Sequence, residues 1–344
     1  GGSSSINGMV YVRGHAKDFD TWAEMGASGW SYSDILPYYR RLENWDSAGS
    51  EEVQNLRGTN GPLNITKGKR MNSLTLAFEK AGAQAGYQST PDYNGKQQEG
   101  FGPMDQTIKN GLRWSSAKAY LRPAIQSGKC QVIRGLATKI IIENSQATCV
   151  EYTHDSKKSV LSASKEVIIA ASAINSPKLL LLSGIGPAAE LKSKGIKVVA
   201  DRPGVGKNLQ DHLGLDYLYK TYKPTLNDEL GTWKGRLKTV LKYVYHRQGP
   251  LSLSLNQGGG YINWNSLDPY PNIQLYFNPL TYSVSYKNKR PLLKTDKFSG
   301  FIIGFNSCRP KSRGEVSLKL ENNHYLPVIN PNYLSDEKDI HDLY

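Results

Sequence analysis

Between Gln131 and Ser172 the chain changes character more sharply than anywhere else. QVIRG, TKIIIE, TCVEYTH, KSVLSAS and EVIIAAS are short β-rich runs divided by polar turns. They read as a meander that closes on one strongly apolar strand. SPKLLLLSG follows at once as a helix start, with Ser176 as cap and Pro177 in the first helical position. GPAAELKSKGI is a further short helix and IKVVA a strand. A chain that passes from meander to helix within a few residues is neither all-β nor a helical bundle. Its class is mixed α/β (α+β) with an antiparallel component.

The remaining pattern agrees. KDFDTWAEMGASGWSYSDILPYYRRLENW gives two helical pieces separated by Gly26 to Ser31. Ser33 or Asp34 would cap the second piece, whose apolar positions Ile35, Leu36, Tyr39 and Leu42 fall on one stripe. Met71 to Gly86 is another helix, and 88–113 is irregular, punctuated by Pro91, Asn94-Gly95 and Asn110-Gly111. From 214 to 300 one helical stretch, Lys234 to Arg247, lies among aromatic strands such as NIQLYFNP and GFIIGF. RGEVSLKL alternates with period two and reads as another strand. With 344 residues the chain has room for two domains.

Composition excludes several classes. Aliphatic runs such as Leu179 to Leu182 are short, far below the ~20 apolar residues that span a bilayer. Cys130, Cys149 and Cys308 are scattered and odd in number, which argues against a disulfide framework or a zinc site. The formal charge of +13 raises nucleic acid or an anionic membrane as partners. The basic residues are spread along the chain, and their densest groupings, Lys67-Gly68-Lys69-Arg70 and Lys287 to Arg290, are short. That distribution disfavours nucleic acid and suits weak attraction to an acidic membrane surface. The expected location is the cytoplasm, including the inner face of the cell membrane.

Several motifs are decoys. Gly184, Gly186 and Ala189, followed by Asp201, imitate a nicotinamide-binding fingerprint. That fingerprint needs a strand before its first glycine, whereas Pro177 makes 177–182 a helix, and Pro187 would sit in the loop whose amides must face the pyrophosphate. GVGKN at 204–208 lacks the leading glycine and the Ser/Thr of a P-loop. The serines at 3–5 form no G-x-S-x-G elbow, and His15, His154, His212, His246, His324 and His341 form no metal-ligand cluster. Of these histidines His212, after a glycine-rich turn, is the one best placed to lie near a site.

GGSSSINGM, the opening stretch, has the composition of a ligand loop. Adjacent glycines let backbone approach a flat or phosphorylated ligand, and small hydroxyl residues add donors without bulk. Asn7 offers a donor and an acceptor to a heterocycle edge. A plain structural turn would share these features. Longer stretches resolve the choice by resemblance. GGSSSINGMVYVRGHAKDFDTW resembles the first signature of the glucose–methanol–choline (GMC) oxidoreductase family, and SAINSPKLLLLSGIG resembles the second. NGLRWSSAKAYLRPA, PGVGKNLQDHL and RPKSRGEVSLKLENNHYLPVINPNYLSD are similar to further family segments in family order. The subgroup most similar is the bacterial choline-dehydrogenase-like alcohol dehydrogenases.

The resemblance implies a flavoenzyme fold in which an FAD-binding domain, incomplete here, is interleaved with a substrate domain built on an antiparallel sheet. It divides the chain at 213/214. Residues 1–213 would be mainly FAD-binding, through 1–34 and 115–213, with 35–114 partly a cap. Residues 214–344 would hold the substrate domain and the start of the family's C-terminal region. Family members open with a βαβ unit that holds the ADP part of FAD and close with a histidine-bearing segment. Neither motif occurs in this sequence, so the expectation is an internal piece whose catalytic histidine lies beyond Tyr344, with no catalytic residue inside it and neither tight FAD binding nor turnover on its own.

On matching positions the resemblance places Gly1, Gly2 and Ser3 against flavin and pyrophosphate, and Asn7, Gly8 and Met9 near the isoalloxazine. Ala137 stands where a backbone group meets adenine. Ile6 replaces a histidine that carries FAD covalently in some members, which implies noncovalent FAD. Ser172 replaces the usual glycine of the second signature. The implied reaction is oxidation of an alcohol to an aldehyde by hydride transfer to flavin, followed by electron transfer to a quinone or other acceptor. Gln257 and Tyr261 are the expected substrate contacts. In choline-oxidising relatives an acid stands near Gln257, and a quaternary ammonium calls for a carboxylate or an aromatic cage. The neutral Gln257 favours an uncharged primary alcohol, with choline as the alternative. A flavin-containing lyase and a noncatalytic basic binding protein are the readings from other classes.

Overall fold

Four hairpins turn on dipeptides in which both residues take positive φ: Asn110-Gly111, Asn144-Ser145, Asp155-Ser156 and Asn322-Asn323. This is the backbone of two-residue turns whose twist matches the flanking strands, and Asn, Asp and Gly tolerate it best. These short turns make their strands antiparallel neighbours. A computed structural model describes residues 2–47, 55–69, 72–265, 269–285 and 292–344. They fall into two units, one formed by residues up to Cys130 with Gly214–Cys308, the other by Gln131–Leu213 with Arg309–Tyr344.

The first unit is built on a five-stranded antiparallel sheet. Its strand order is Gly214–Lys220, Gly300–Ser307, Ile273–Asn278, Gly258–Ile262 and Gly100–Pro103. The helix Ser73–Gln84, capped by Asn72 through a 2.9 Å bond from Leu74 N, packs on this sheet. A Cβ on Gly82 would meet the Phe101 ring at 2.5 Å and one on Gly258 would meet Thr75 Cγ2 at 2.7 Å, so the helix lies this close because both positions lack a side chain. Phe101, Ile262 and Ile273 form the core between them, with Phe78 stacked on Phe277. Two earlier helices, Ala16–Glu24 and Tyr32–Leu42, start at capping boxes. The second is capped by Ser31, not by Ser33 or Asp34; Asp34 is the reciprocal partner that returns a bond to Ser31 N at 3.1 Å.

The second unit carries the meander Leu136–Glu143, Gln146–His154 and Lys157–Ser162. The hairpin Gly314–Glu321/His324–Asn330 pairs with Lys207–Leu209. This pairing draws Arg309–Tyr344 to the same unit as 131–213, whereas a single cut at 213/214 would group them with the large sheet. Leu181, Leu191 and Leu318 are its buried centre. The meander is shorter than expected at both ends. QVIRG and EVIIAAS belong to no strand, and Ile168 is 80% exposed. An apolar β-branched run favours extended backbone, but only a hydrogen-bonded neighbour makes it a strand, and none flanks this one among the described residues.

The helix after it spans Ser172–Leu182, so it starts one turn before the expected cap, and Pro177 lies inside it. Ser176 instead accepts a bond from Ala171 N at 3.1 Å through its Oγ, ahead of the helix. A helix rather than a strand therefore precedes Gly184, which removes the nicotinamide fingerprint. Ser172 has φ 73, a left-handed conformation that costs a residue with a side chain ~1–2 kcal/mol. Glycine would relieve that strain and lose part of the gain to its freer unfolded chain. Ser172→Gly is expected to stabilise the protein by ~0.5–1 kcal/mol; a urea midpoint that stays put or falls would show that the Ser172 side chain is not strained.

Candidate functional site

Residues Ser3–Ser5 form one 3₁₀ turn, closed by Ile6 N to Ser3 O at 3.0 Å and Asn7 N to Ser3 O at 2.8 Å. Around it the loop from Gly2 to Gly8 is largely exposed. A Cβ built on Gly2 or Gly8 would meet nothing within 4 Å, so both positions leave open space on the loop's surface. Gly2 has φ 68, which glycine takes without strain. Gly1 lies outside the described residues. Ile6 is 85% exposed.

Asn7 is the fixed point of the loop. Its Oδ1 accepts from Met9 N at 3.1 Å and from Arg113 Nη1 at 2.6 Å. Two donors on one atom identify it as the amide oxygen, which turns Nδ2 away from both of them. The same Arg113 nitrogen donates to Ser4 O at 3.3 Å, and Ser4 Oγ accepts from Ser116 N at 3.1 Å. Met9 takes φ 66, uncommon for a residue with a side chain. Its carbonyl accepts from Thr107 N at 2.8 Å, which holds it there. Backbone strain at such a position persists where surrounding bonds over-determine it.

Below the loop the chain runs from Val10 to Arg13 into a buried charge network that the sequence reading missed. Glu43 accepts from Arg13 (Nε, 2.8 Å), Arg57 (Nε, 3.0 Å) and the Tyr11 hydroxyl (2.5 Å). Arg57 also reaches Asp92 at 2.6 Å and Asp105 at 3.0 Å, and its guanidinium lies 4.3 Å from the Trp45 ring centroid. Three carboxylates thus face two arginines. Burial pushes the Asp105 carboxyl up to about 6, against the opposite pull of Arg57. Burial, with Glu43 beside it, raises the Tyr11 phenol well above its ordinary value. Tyr11 N donates to Asp105 O at 2.7 Å, so the network and the loop share one extended segment. No spacing rule predicts it, because its members come from five separate stretches.

Gln257 is buried immediately before the strand Gly258–Ile262, and its carbonyl accepts from Met104 N at 3.2 Å. Tyr261 lies on that strand in a core cluster with Tyr93 and Met104, against which Val10 and Val12 pack. Its ring meets Tyr93 edge-on at 5.3 Å, and burial raises its phenol pKa. Both expected substrate residues therefore share a unit with the loop, Tyr261 on the sheet and packed against the segment that follows the loop, Gln257 just ahead of that strand. Ala137 belongs to the other unit, exposed near the start of the strand Leu136–Glu143. His212 is exposed, and its main-chain N–H donates to Asp211 Oδ1 at 3.0 Å.

Solved flavoenzymes share this architecture. Pyridoxine 4-oxidase from Mesorbium loti superposes with a TM-score of 0.80 at 27% identity, covering 99% of this chain and 62% of that one. Formate oxidase from Aspergillus oryzae has the same fold, with a TM-score of 0.86 at 24% identity over 99% and 64% of the two chains. The family model described as GMC oxidoreductase matches residues 1–214. The chain belongs to the GMC oxidoreductases. Among curated relatives, the oxygen-dependent choline dehydrogenase of Brucella anthropi is 48% identical over 340 residues, which are 98% of this chain and 60% of that protein. The Sinorhizobium medicae protein of the same name is 45% identical over 339 residues. The chain spans about 60% of the length of these relatives.

Proposed function

We propose that this chain supplies the flavin loop and the substrate sheet of an FAD-dependent enzyme that oxidises a primary alcohol to an aldehyde. One observation carries the reading: an exposed loop, open at Gly2 and Gly8, whose one amide side chain is clamped by its oxygen. Such a surface suits a flat heterocycle and its pyrophosphate. Bound FAD would supply the acceptor for the hydride that leaves the alcohol carbon. Gly1, Gly2 and Ser3 would stand against flavin and pyrophosphate, and Gly8 and Met9 beside the ring. Asn7 would donate from Nδ2 to a ring acceptor. Ala137 would offer main-chain groups to adenine. The exposed Ile6 has no nucleophilic atom to bond covalently to the cofactor, which supports a noncovalent flavin. No catalytic base is assigned within the chain.

The domain roles belong to the same proposal: 1–34 and 115–213 mainly FAD-binding, 35–114 partly cap, and 214–344 the substrate domain with the start of the family's C-terminal region, of which 309–344 share a unit with 131–213. Gln257 and Tyr261 are proposed on the substrate side. A buried amide at 257 gives a quaternary ammonium no countercharge, which favours an uncharged alcohol. Choline is the second reading, supported by the names of the Brucella and Sinorhizobium relatives. Electrons would leave to a quinone or another acceptor, and the basic surface suits association with the inner face of a membrane.

The test is anaerobic addition of a medium-chain primary alcohol or of choline to the yellow protein expressed from its whole reading frame, followed at the flavin absorbance. Bleaching by the alcohol alone is the expected result. Bleaching by choline would transfer the substrate to the second reading. A yellow protein that no alcohol reduces would point to a lyase, and a colourless one to a noncatalytic binding protein.

A further inference from the structure

The helix Trp233–His246 is amphipathic the wrong way round. It meets the rest of its unit through Gly235, Thr239 and Tyr243, spaced four apart, of which Thr239 alone is fully buried. A Cβ on Gly235 would stand 1.9 Å from Glu229 O, so the helix is held close by a glycine rather than by an apolar face. The opposite face carries Trp233, Leu237, Val240, Leu241, Val244 and Tyr245 at spacings of three and four. Each is exposed: 70% at Trp233, 50% at Leu237, 45% at Leu241 and 76% at Tyr245. An amphipathic helix of a soluble domain ordinarily buries this stripe.

Charge identifies what covers it. The helix holds Lys234, Arg236, Lys238 and Lys242, followed by Arg247, and no aspartate or glutamate. Lys234, Lys238 and Lys242 recur every fourth position along one flank of the apolar stripe, and Arg236 stands on the other. The nearest acidic helix, Leu226–Leu230, has Asp228 engaged by Thr225 N at 2.7 Å and by Ser299 Oγ at 2.8 Å. An exposed apolar stripe, aromatic residues at its two ends and lysines along its edge match an anionic bilayer surface. Apolar groups enter the acyl boundary, aromatic rings sit at headgroup level, and lysine stems run along the stripe with their ammonium groups among lipid phosphates. A protein groove that accepts an apolar helix face does not need a cation-only border.

We infer that the Trp233–His246 helix is the surface by which the protein docks in plane on an anionic membrane. The inference deepens the membrane association proposed above by naming where it occurs. No helix among the described residues is long and apolar enough to cross a bilayer, so this contact is one of lying on the surface.

Flotation of the flavin-loaded protein with vesicles of phosphatidylglycerol and phosphatidylcholine tests it. The unaltered protein is expected to float with the anionic vesicles, not with pure phosphatidylcholine, and to release as salt shortens the screening length. Changing Lys234, Lys238 and Lys242 to glutamine should weaken binding by about fivefold per lysine. Leu237→Glu with Leu241→Glu should abolish flotation at any salt, while circular dichroism, flavin content and alcohol oxidation with a soluble acceptor stay unchanged, since both positions are exposed. Brominated lipid should quench the fluorescence that Trp233→Phe removes. Flotation unaffected by either set of changes would overturn the assignment and leave membrane association itself standing. No flotation of the unaltered protein would overturn both. A dimer in sedimentation that the two leucine changes dissolve, without vesicle binding, would give the face to a second copy instead.

Discussion

Arg57→Met is expected to destabilise the protein by about 3–5 kcal/mol, the cost of removing one partner from a buried ion pair. The side chain is 0% exposed and is the only cation within reach of both Asp92 and Asp105 among the described residues, while Glu43 would keep Arg13. A loss of that size is a large part of the ~5–15 kcal/mol that holds a domain folded. The deficit should depend on pH, and its sign follows from Asp105. Its folded carboxyl, at about 6, lies above the ordinary carboxyl value of 3.8, so between these limits the folded state binds more protons and stability falls as pH rises. Without Arg57 the Asp105 carboxyl rises further. The variant should therefore be weakest at pH 8 and recover part of its deficit near pH 5, as measured by urea unfolding. Arg57→Lys should rescue little, because one ammonium cannot reach three carboxylates with the geometry of a planar fork. A triple change that adds Asp92→Asn and Asp105→Asn should restore more than Arg57→Lys does. A pH-independent loss below 1 kcal/mol in Arg57→Met would show that the network is hydrated and contributes little.

That network marks the limit of what the sequence discloses. Periodicity and cap chemistry located the helices at Ser73–Gln84 and Trp233–His246 and the central part of the meander, because these elements are decided by neighbours within a few residues. Errors arose where a second bonding option lay close by. Ser176 and Pro177 together form a strong helix start, but the turn before them is already helical, and Ser176 bonds to Ala171 instead. Ser33 and Asp34 were the right kind of residue two and three places late, since the capping box counts from Ser31. EVIIAAS has strand composition, yet pairing is a long-range property that composition does not encode. The site divides along the same line. The glycines of GGSSSINGM suit the ligand loop proposed above, but what orients Asn7 is Arg113, 106 residues away in sequence. The signal for Arg113 was present in NGLRWSS, a stretch recognised as a family segment without a role for its arginine. The orientation of the Trp233–His246 helix is not in the sequence pattern, which gives only a helical stretch; the structure turns Gly235 and Thr239 inward and leaves the apolar stripe exposed.

Arg113→Ala should lower the affinity for FAD by about tenfold or more, with little change in folding stability. Arg113 follows the Asn110-Gly111 turn and projects one nitrogen onto both Asn7 Oδ1, at 2.6 Å, and Ser4 O, at 3.3 Å. Hydrogen bonds to a charged donor contribute ~1.5–3 kcal/mol when well formed. The loop is exposed, so the lower end of that range applies, and about 1.4 kcal/mol corresponds to a factor of ten. The loss acts on binding because the alanine variant leaves the loop free to leave the conformation that presents Asn7 Nδ2 and the open faces of Gly2 and Gly8, and cofactor binding must then reorder it. Flavin fluorescence titration of the deflavinated protein, beside a thermal melt of the same sample, separates this from general damage: a lowered melting temperature with unchanged FAD affinity would make Arg113 a structural residue only. Two further variants sharpen the reading. Arg113→Lys keeps the charge and one bond and should recover part of the affinity. Asn7→Asp keeps the acceptor for Arg113 and Met9 but has no Nδ2 donor, so the loop should stay ordered while the bond proposed for the flavin edge is lost. If Asn7→Asp matched the unaltered protein in both affinity and rate of flavin reduction, Asn7 would serve the loop alone and the donor role assigned to it would fall.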